Sequence, residues 1–160
     1  MDKIFKKCSI KNFDFDFKNQ PWSSHKDITV SHTINKETYH YQIFINVALV
    51  KNIGLNIGID VKTASIILQP PGHTIHLHED KFFKLKNDYP NVLVDQIVRA
   101  NIFLEDWVWG QFMQFDDLAV TKWKKNEGFI FNCAVPHLST NASFENKYTL
   151  QITGLLNDKI

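Results

Sequence analysis

The chain has 160 residues, of which 44% are hydrophobic and 13% aromatic, enough for one filled core and too few for two comfortable domains. Its charges nearly cancel, at +1, and no basic stripe interleaved with aromatics runs through it, so nothing points to nucleic acid as an electrostatic partner. Met1–Cys8 lacks the apolar centre of a signal peptide and no later run is long enough to cross a bilayer, so the expectation is a soluble, cytoplasmic protein with no membrane partner and reduced, structural Cys8 and Cys133.

Residues 1–65 read as β-rich. Phe13-Asp-Phe-Asp-Phe17 alternates strictly, as does much of Thr38–Val47, and a period of two suits half-buried strands. Gly54 and Gly58 mark a turn-like connection before an apolar strand over Val61–Leu68. Pro70-Pro71-Gly72 fixes a tight turn ahead of Thr74-Ile-His-Leu-His-Glu-Asp80, since proline presets φ and glycine tolerates the reversed one. Lys81–Val98 is less regular, with Phe82, Phe83 and Leu85 forming either one turn of helix or a loop, and Tyr89-Pro90-Asn91 a turn.

From Ile97 the alternation returns. Val98, Ala100, Ile102 and Leu104 make an apolar face, and Arg99, Asn101, Phe103 and Glu105 the other. Asp106 ends that strand, and the next is expected over Trp107–Phe115, with a turn at Asp116-Asp117. Gly128–Val135 leads to Pro136-His137, and Tyr148–Thr153 closes the chain. There is no repeat and no long helical pattern. Many short strands with close turns indicate a sandwich or jelly-roll barrel.

A single histidine is more often a hydrogen-bonded core residue than a ligand, and His25, His32 and His40 are read that way. His76, His78 and Asp80 differ, because successive strand residues alternate faces and these three would share one wall. Massing imidazoles and a carboxylate on one face is costly unless a metal organises them. A facial triad needs two imidazoles and one carboxylate on one side of the ion; His78 and Asp80 can supply two, and His137, on a distant strand, the third.

The set His78-x-Asp80, distal His137 and, ten positions later, Lys147-Tyr-Thr149 resembles the iron(II)- and 2-oxoglutarate-dependent oxygenase superfamily. Segments Arg99–Asp106 with Gly110, and His137–Ser143, are similar more loosely to its prolyl- and aspartyl-hydroxylase branches. The resemblance covers about residues 64–154. It implies a mainly β double-stranded β-helix, a jelly-roll or cupin-like barrel with few short helices: one domain over 1–160, with flanking strands over 1–63 and a metal-binding core over 64–154. It also implies Fe(II) held by His78, Asp80 and His137, 2-oxoglutarate as cosubstrate with its distal carboxylate on Lys147 and Thr149, and O2. The reaction implied is hydroxylation of a small-molecule or peptidyl substrate, a free or peptidyl amino-acid side chain being favoured, with release of succinate and CO2. Asp80 stands where the related halogenases have a small residue, which argues against halogenation. Lys147 departs from the commoner arginine and lacks its planar two-pronged fit to a carboxylate.

Candidate substrate contacts are His76, Arg99, Asn101, Trp107 and Gln111; Arg99, the only arginine, is also the next candidate for the cosubstrate anchor. Two other readings stand beside the oxygenase. One is a metal-dependent cupin of different chemistry using His76, His78 and His137. The other is a non-catalytic jelly-roll module for carbohydrate, with Trp107, Trp109 and Trp123 as stacking surfaces.

Overall fold

The computed structural model describes residues 2–22, 24–31 and 34–157. Eleven strands run β1 (Phe5–Ser9), β2 (Ser24–Ser31), β3 (Ile34–Phe44), β4 (Ile59–Gln69), β5 (Thr74–His78), β6 (Ile97–Phe103), β7 (Gln111–Phe115), β8 (Leu118–Val120), β9 (Glu127–Asn132), β10 (His137–Asn141) and β11 (Lys147–Leu156), with two short helices, α1 (Lys51–Asn56) and α2 (Phe83–Asp88). A seven-stranded sheet in the order β1-β9-β6-β11-β4-β3-β2 faces a four-stranded one in the order β5-β10-β7-β8, and every pairing is antiparallel. This is the expected double-stranded β-helix, with β2 and β3 extending one edge of the larger sheet and β1 the other. β4 runs through residue 63, where flanking region and core were expected to meet.

Alternation on the central strands divides the apolar residues into two layers. Val98, Ala100 and Ile102 of β6, Leu150 and Ile152 of β11, and Ala64, Ile66 and Leu68 of β4 face outward into a core completed by Phe13, Val50 and Ile57. Between the sheets, Phe103, Phe129 and Phe131 meet Met113, Phe115, Val120, Trp123 and Val135. Each fully buried side chain of this size contributes about 1.5–3 kcal/mol relative to exposure. The aromatic layer fills one end of the space between the sheets, leaving the polar end for the site.

Several sequence expectations need correcting. Phe13–Phe17 forms no ladder, although Phe13 is buried, Phe15 and Phe17 are half-buried, and Asp14 and Asp16 are exposed. The segment packs its aromatics on the outer core, Phe17 meeting Tyr148 at 5.0 Å between ring centroids, so the alternation reflects packing on a sheet face. Gly54 lies inside α1, and only Gly58 has the reversed φ of a turn. The strand expected from Trp107 starts at Gln111; residues 107–110 loop out, and Gly110 has φ +92°. There an added Cβ would meet the Ala142 carbonyl oxygen at 2.7 Å. The Pro70-Pro71-Gly72 turn forms as read, the His73 amide donating to the Pro70 carbonyl and Gly72 at φ +82°.

Among the described residues, no helix is long and apolar enough to cross a membrane. Cys8 and Cys133 form no disulfide, and burial pushes the Cys8 thiol up to about 12.

Candidate metal centre

β5 and β10 are neighbours in the smaller sheet, where His78 pairs with His137, and Asp80 follows two residues after β5 ends. One atom each from His78, Asp80 and His137 lies within 4.8 Å of the others. The imidazoles are tilted at 53° with centroids 4.3 Å apart, and Nε2 of each stands 3.9 Å from an Asp80 oxygen.

The tautomers follow from the neighbours. His78 Nδ1 is 2.7 Å from the His76 carbonyl oxygen, and His137 Nδ1 is 3.2 Å from that of Val135. A carbonyl only accepts, so each Nδ1 carries the proton and each Nε2 presents its lone pair. Burial lowers the His137 pKa to about 4, which keeps this ring neutral, the ligating form, at ordinary pH. Phe131 and Phe115 press on it, at 4.6 and 6.0 Å between centroids.

Asp80 supplies the charge. Its Oδ1 accepts from Arg99 Nη1 at 2.8 Å, while its Oδ2 is buried without a partner. An orphaned carboxylate oxygen is costly, and together with the two imidazole lone pairs beside the same carboxylate it is what a divalent cation would satisfy. The donor set fits a metal.

His76 does not join them. The β5–β10 register matches His137 with His78 but Ser139 with Ile75, so β5 carries one extra residue, a β-bulge. The bulge changes the phase: Ile75 lines the cavity together with His78, and His76 does not. His76 contributes its carbonyl, and the period-two reading that grouped 76, 78 and 80 on one face is corrected by that extra residue.

The cavity, about 250 Å³, is lined on the larger sheet by His40, Gln42, Ile67, Gln69, Arg99, Asn101, Thr149 and Gln151, and opposite by Ile75, His78, Asp80, Met113, His137 and Ser139. Arg99 and Asn101 therefore line it. Trp107 and Gln111 do not; they line a separate cavity of about 260 Å³ with Trp123 and Lys147, because the loop over 107–110 carries them past the end of β6. Trp107 and Trp109 are tilted at 56° and Trp123 is buried against Phe103, so the three tryptophans form no common platform.

His40, Gln42, Gln69, Ser139 and Gln151 were not singled out from sequence. The signal was their phase: 40 and 42 alternate inward on β3, and 151 continues the 147/149 face of β11. His40, read as a core residue, is buried and lines the cavity; His32 and the side chain of His25 lie outside the described residues.

Lys147 is 3% exposed. Its Nζ donates to Ser139 Oγ at 2.5 Å and to the Phe112 carbonyl at 3.2 Å, and sits 5.3 Å from the Trp123 ring centre. Ser139 Oγ donates in turn to Gln69 Oε1 at 2.6 Å, tying the two sheets together behind the cavity. Lys147 is thus one hydroxyl removed from the cavity wall that Thr149 and Ser139 share. Desolvation alone lowers its pKa to about 7, and among the described residues no carboxylate pairs with it.

No protein-family model matches the sequence, and no curated protein matches it. Solved structures do share the fold. An oxidoreductase of the 2OG-Fe(II) oxygenase family from Burkholderia pseudomallei aligns at 11% identity over 89% of this chain and 78% of its own, with TM-score 0.56. A viral collagen prolyl hydroxylase from Paramecium bursaria Chlorella virus 1, solved with 2OG, aligns at 12% over 75% and 80%, with TM-score 0.55. A protein described as a predicted oxalate decarboxylase from Thermotoga maritima aligns at 11% over 85% and 95%, with TM-score 0.50. At these identities the likeness is one of fold: the chain has the double-stranded β-helix architecture of the 2OG-Fe(II) oxygenases, shared with cupins.

Proposed function

We propose that the protein is an Fe(II)- and 2-oxoglutarate-dependent dioxygenase that hydroxylates a small-molecule or peptidyl substrate, an amino-acid side chain being the favoured class. The observation that carries this reading is the convergence of His78, Asp80 and His137, with two oriented Nε2 lone pairs each 3.9 Å from an oxygen of a carboxylate whose Oδ2 has no partner. These three would hold the ion. Bound there with 2-oxoglutarate, iron would supply O2 activation, one oxygen atom leaving in succinate with loss of CO2 and the other entering a substrate C–H bond.

The chain's own residues do the rest. His78 and His137 are held in the ligating tautomer by backbone carbonyls, which raises their basicity as well as fixing their orientation. Lys147 offers a buried cation with no acidic partner among the described residues, the complement of the cosubstrate's distal carboxylate, with Thr149 and Ser139 as hydroxyl partners at the cavity wall. The aromatic layer around His137 keeps water from one side of the site. A cytoplasmic setting, suited to two thiols without a disulfide, belongs to the same reading.

The cupin alternative loses its third ligand, since His76 lies off the cavity, and the carbohydrate module loses its stacking surface. The test is anaerobic reconstitution with Fe(II) and 2-oxoglutarate, then exposure to air across a metabolite and peptide panel. Substrate-stimulated succinate release supports the reading; release unaffected by His137→Ala removes it.

A further inference from the structure

Arg99 does more than line the cavity. Its Nη1 donates to Asp80 Oδ1 at 2.8 Å, its Nε donates to Thr153 Oγ1 at 3.1 Å, and its guanidinium lies over the Phe82 ring, 5.4 Å from the centre. Thr153 is its register partner on β11. Phe82 is itself buried, with a left-handed backbone at φ 49° that a bulky residue adopts only when its surroundings hold it there. Three contacts from three directions therefore fix the guanidinium plane. Every other basic residue of the chain is lysine, and the one planar fork stands at the one carboxylate of the metal centre. A lysine there would be a single movable point charge.

We propose that Arg99 is a positioning residue that restricts Asp80 to one ligating oxygen. The inference rests on the metal-site reading above and extends it. Oδ1, 3.9 Å from His78 Nε2, is engaged by Arg99, which leaves Oδ2, 3.9 Å from His137 Nε2, as the carboxylate oxygen without a partner. A six-coordinate ion held by two imidazoles and one carboxylate oxygen would keep three positions, enough for a chelating keto acid and O2. A carboxylate that swung to offer both oxygens would take a fourth position, and the keto acid would then displace it or close the ion to O2. Arg99 keeps that position open.

The experiment uses the whole chain with Co(II) as an air-stable probe, comparing wild type, Arg99→Met and Arg99→Lys. Circular dichroism confirms folding, calorimetry follows cobalt and then 2-oxoglutarate, and the cobalt d–d absorption reports coordination. Expected is that Arg99→Met still binds cobalt with an altered d–d spectrum before cosubstrate is added, and that its 2-oxoglutarate affinity falls by about tenfold or more. Arg99→Lys should recover part of that loss. A spectrum and a 2-oxoglutarate affinity equal to wild type in Arg99→Met would overturn the proposal, as would loss of cobalt and 2-oxoglutarate together, which a merely structural role predicts. Wild-type protein that binds no cobalt would instead remove the metal-site reading, and this inference with it.

Discussion

His78 Nδ1 lies 2.7 Å from the carbonyl oxygen of His76, so the first of these two histidines serves the site through its backbone and not its ring. His76→Ala keeps that carbonyl and should keep the metal. His78→Ala and His137→Ala each remove a lone pair and should cost more than the roughly 10- to 100-fold that loss of a supporting residue costs. Calorimetric metal titration of the three variants checks this; metal loss in His76→Ala with retention in Asp80→Ala would favour a cupin-type ligand set.

Lys147 should act on the cosubstrate and not on the metal. A charge-assisted hydrogen bond is worth about 1.5–3 kcal/mol, so Lys147→Ala should weaken 2-oxoglutarate binding about 10- to 150-fold. Metal affinity, measured beside it, should hold. An unchanged 2-oxoglutarate titration in the folded variant would remove Lys147 as the anchor.

The pH dependence has a definite sign. Burial lowers Lys147 to about 7 in the protein without ligand, and the carboxylate binds the protonated form. Above that pH the 2-oxoglutarate dissociation constant should rise, approaching tenfold per pH unit. Lys147→Arg, where it binds at all, should lose this dependence because guanidinium stays charged. Titrations from pH 6 to 9 decide it.

His137 predicts the opposite end of the scale. Its folded pKa is lowered to about 4 from 6.5, so the unfolded chain takes up a proton first as pH falls. The stability it contributes is present above about pH 6.5 and is lost as pH drops through about 4. Denaturant unfolding of metal-free protein should show this loss, and His137→Phe should reduce it.

The aromatic layer supports the site as well as the fold. Phe131 is fully buried and its ring is 4.6 Å from that of His137. Phe131→Ala should destabilise by about 3–5 kcal/mol through the cavity it leaves, and should weaken metal binding by releasing His137. Urea unfolding and metal titration on the same samples test both effects.

How far the sequence foretold this depends on where local period and tertiary context agree. On β6 they agree: Val98, Ala100 and Ile102 face the outer core, and Arg99 and Asn101 the cavity. His78, Asp80 and His137 converge because pairing of β5 with β10 closes the distance that separates them in the chain. At His76 the two conflict, since a bulge shifts the phase by one residue and nothing in Thr74–His78 marks it. Phe13–Phe17 alternates like a strand while covering a sheet, because burial on any flat face imposes the same period. Trp107 and Gln111 line the separate cavity, the strand expected from Trp107 starting only at Gln111. The Ser139–Lys147 contact depends on two sheets meeting, which no local pattern encodes.

The most direct test is anaerobic calorimetry of the purified chain with Fe(II), followed by 2-oxoglutarate, on wild type, Asp80→Ala and Lys147→Ala. Expected are one Fe(II) per chain, 2-oxoglutarate binding that depends on the iron, loss of both in Asp80→Ala, and weakened binding of 2-oxoglutarate alone in Lys147→Ala. Iron bound as tightly by Asp80→Ala as by wild type, or 2-oxoglutarate bound equally well without iron, would contradict the proposed function.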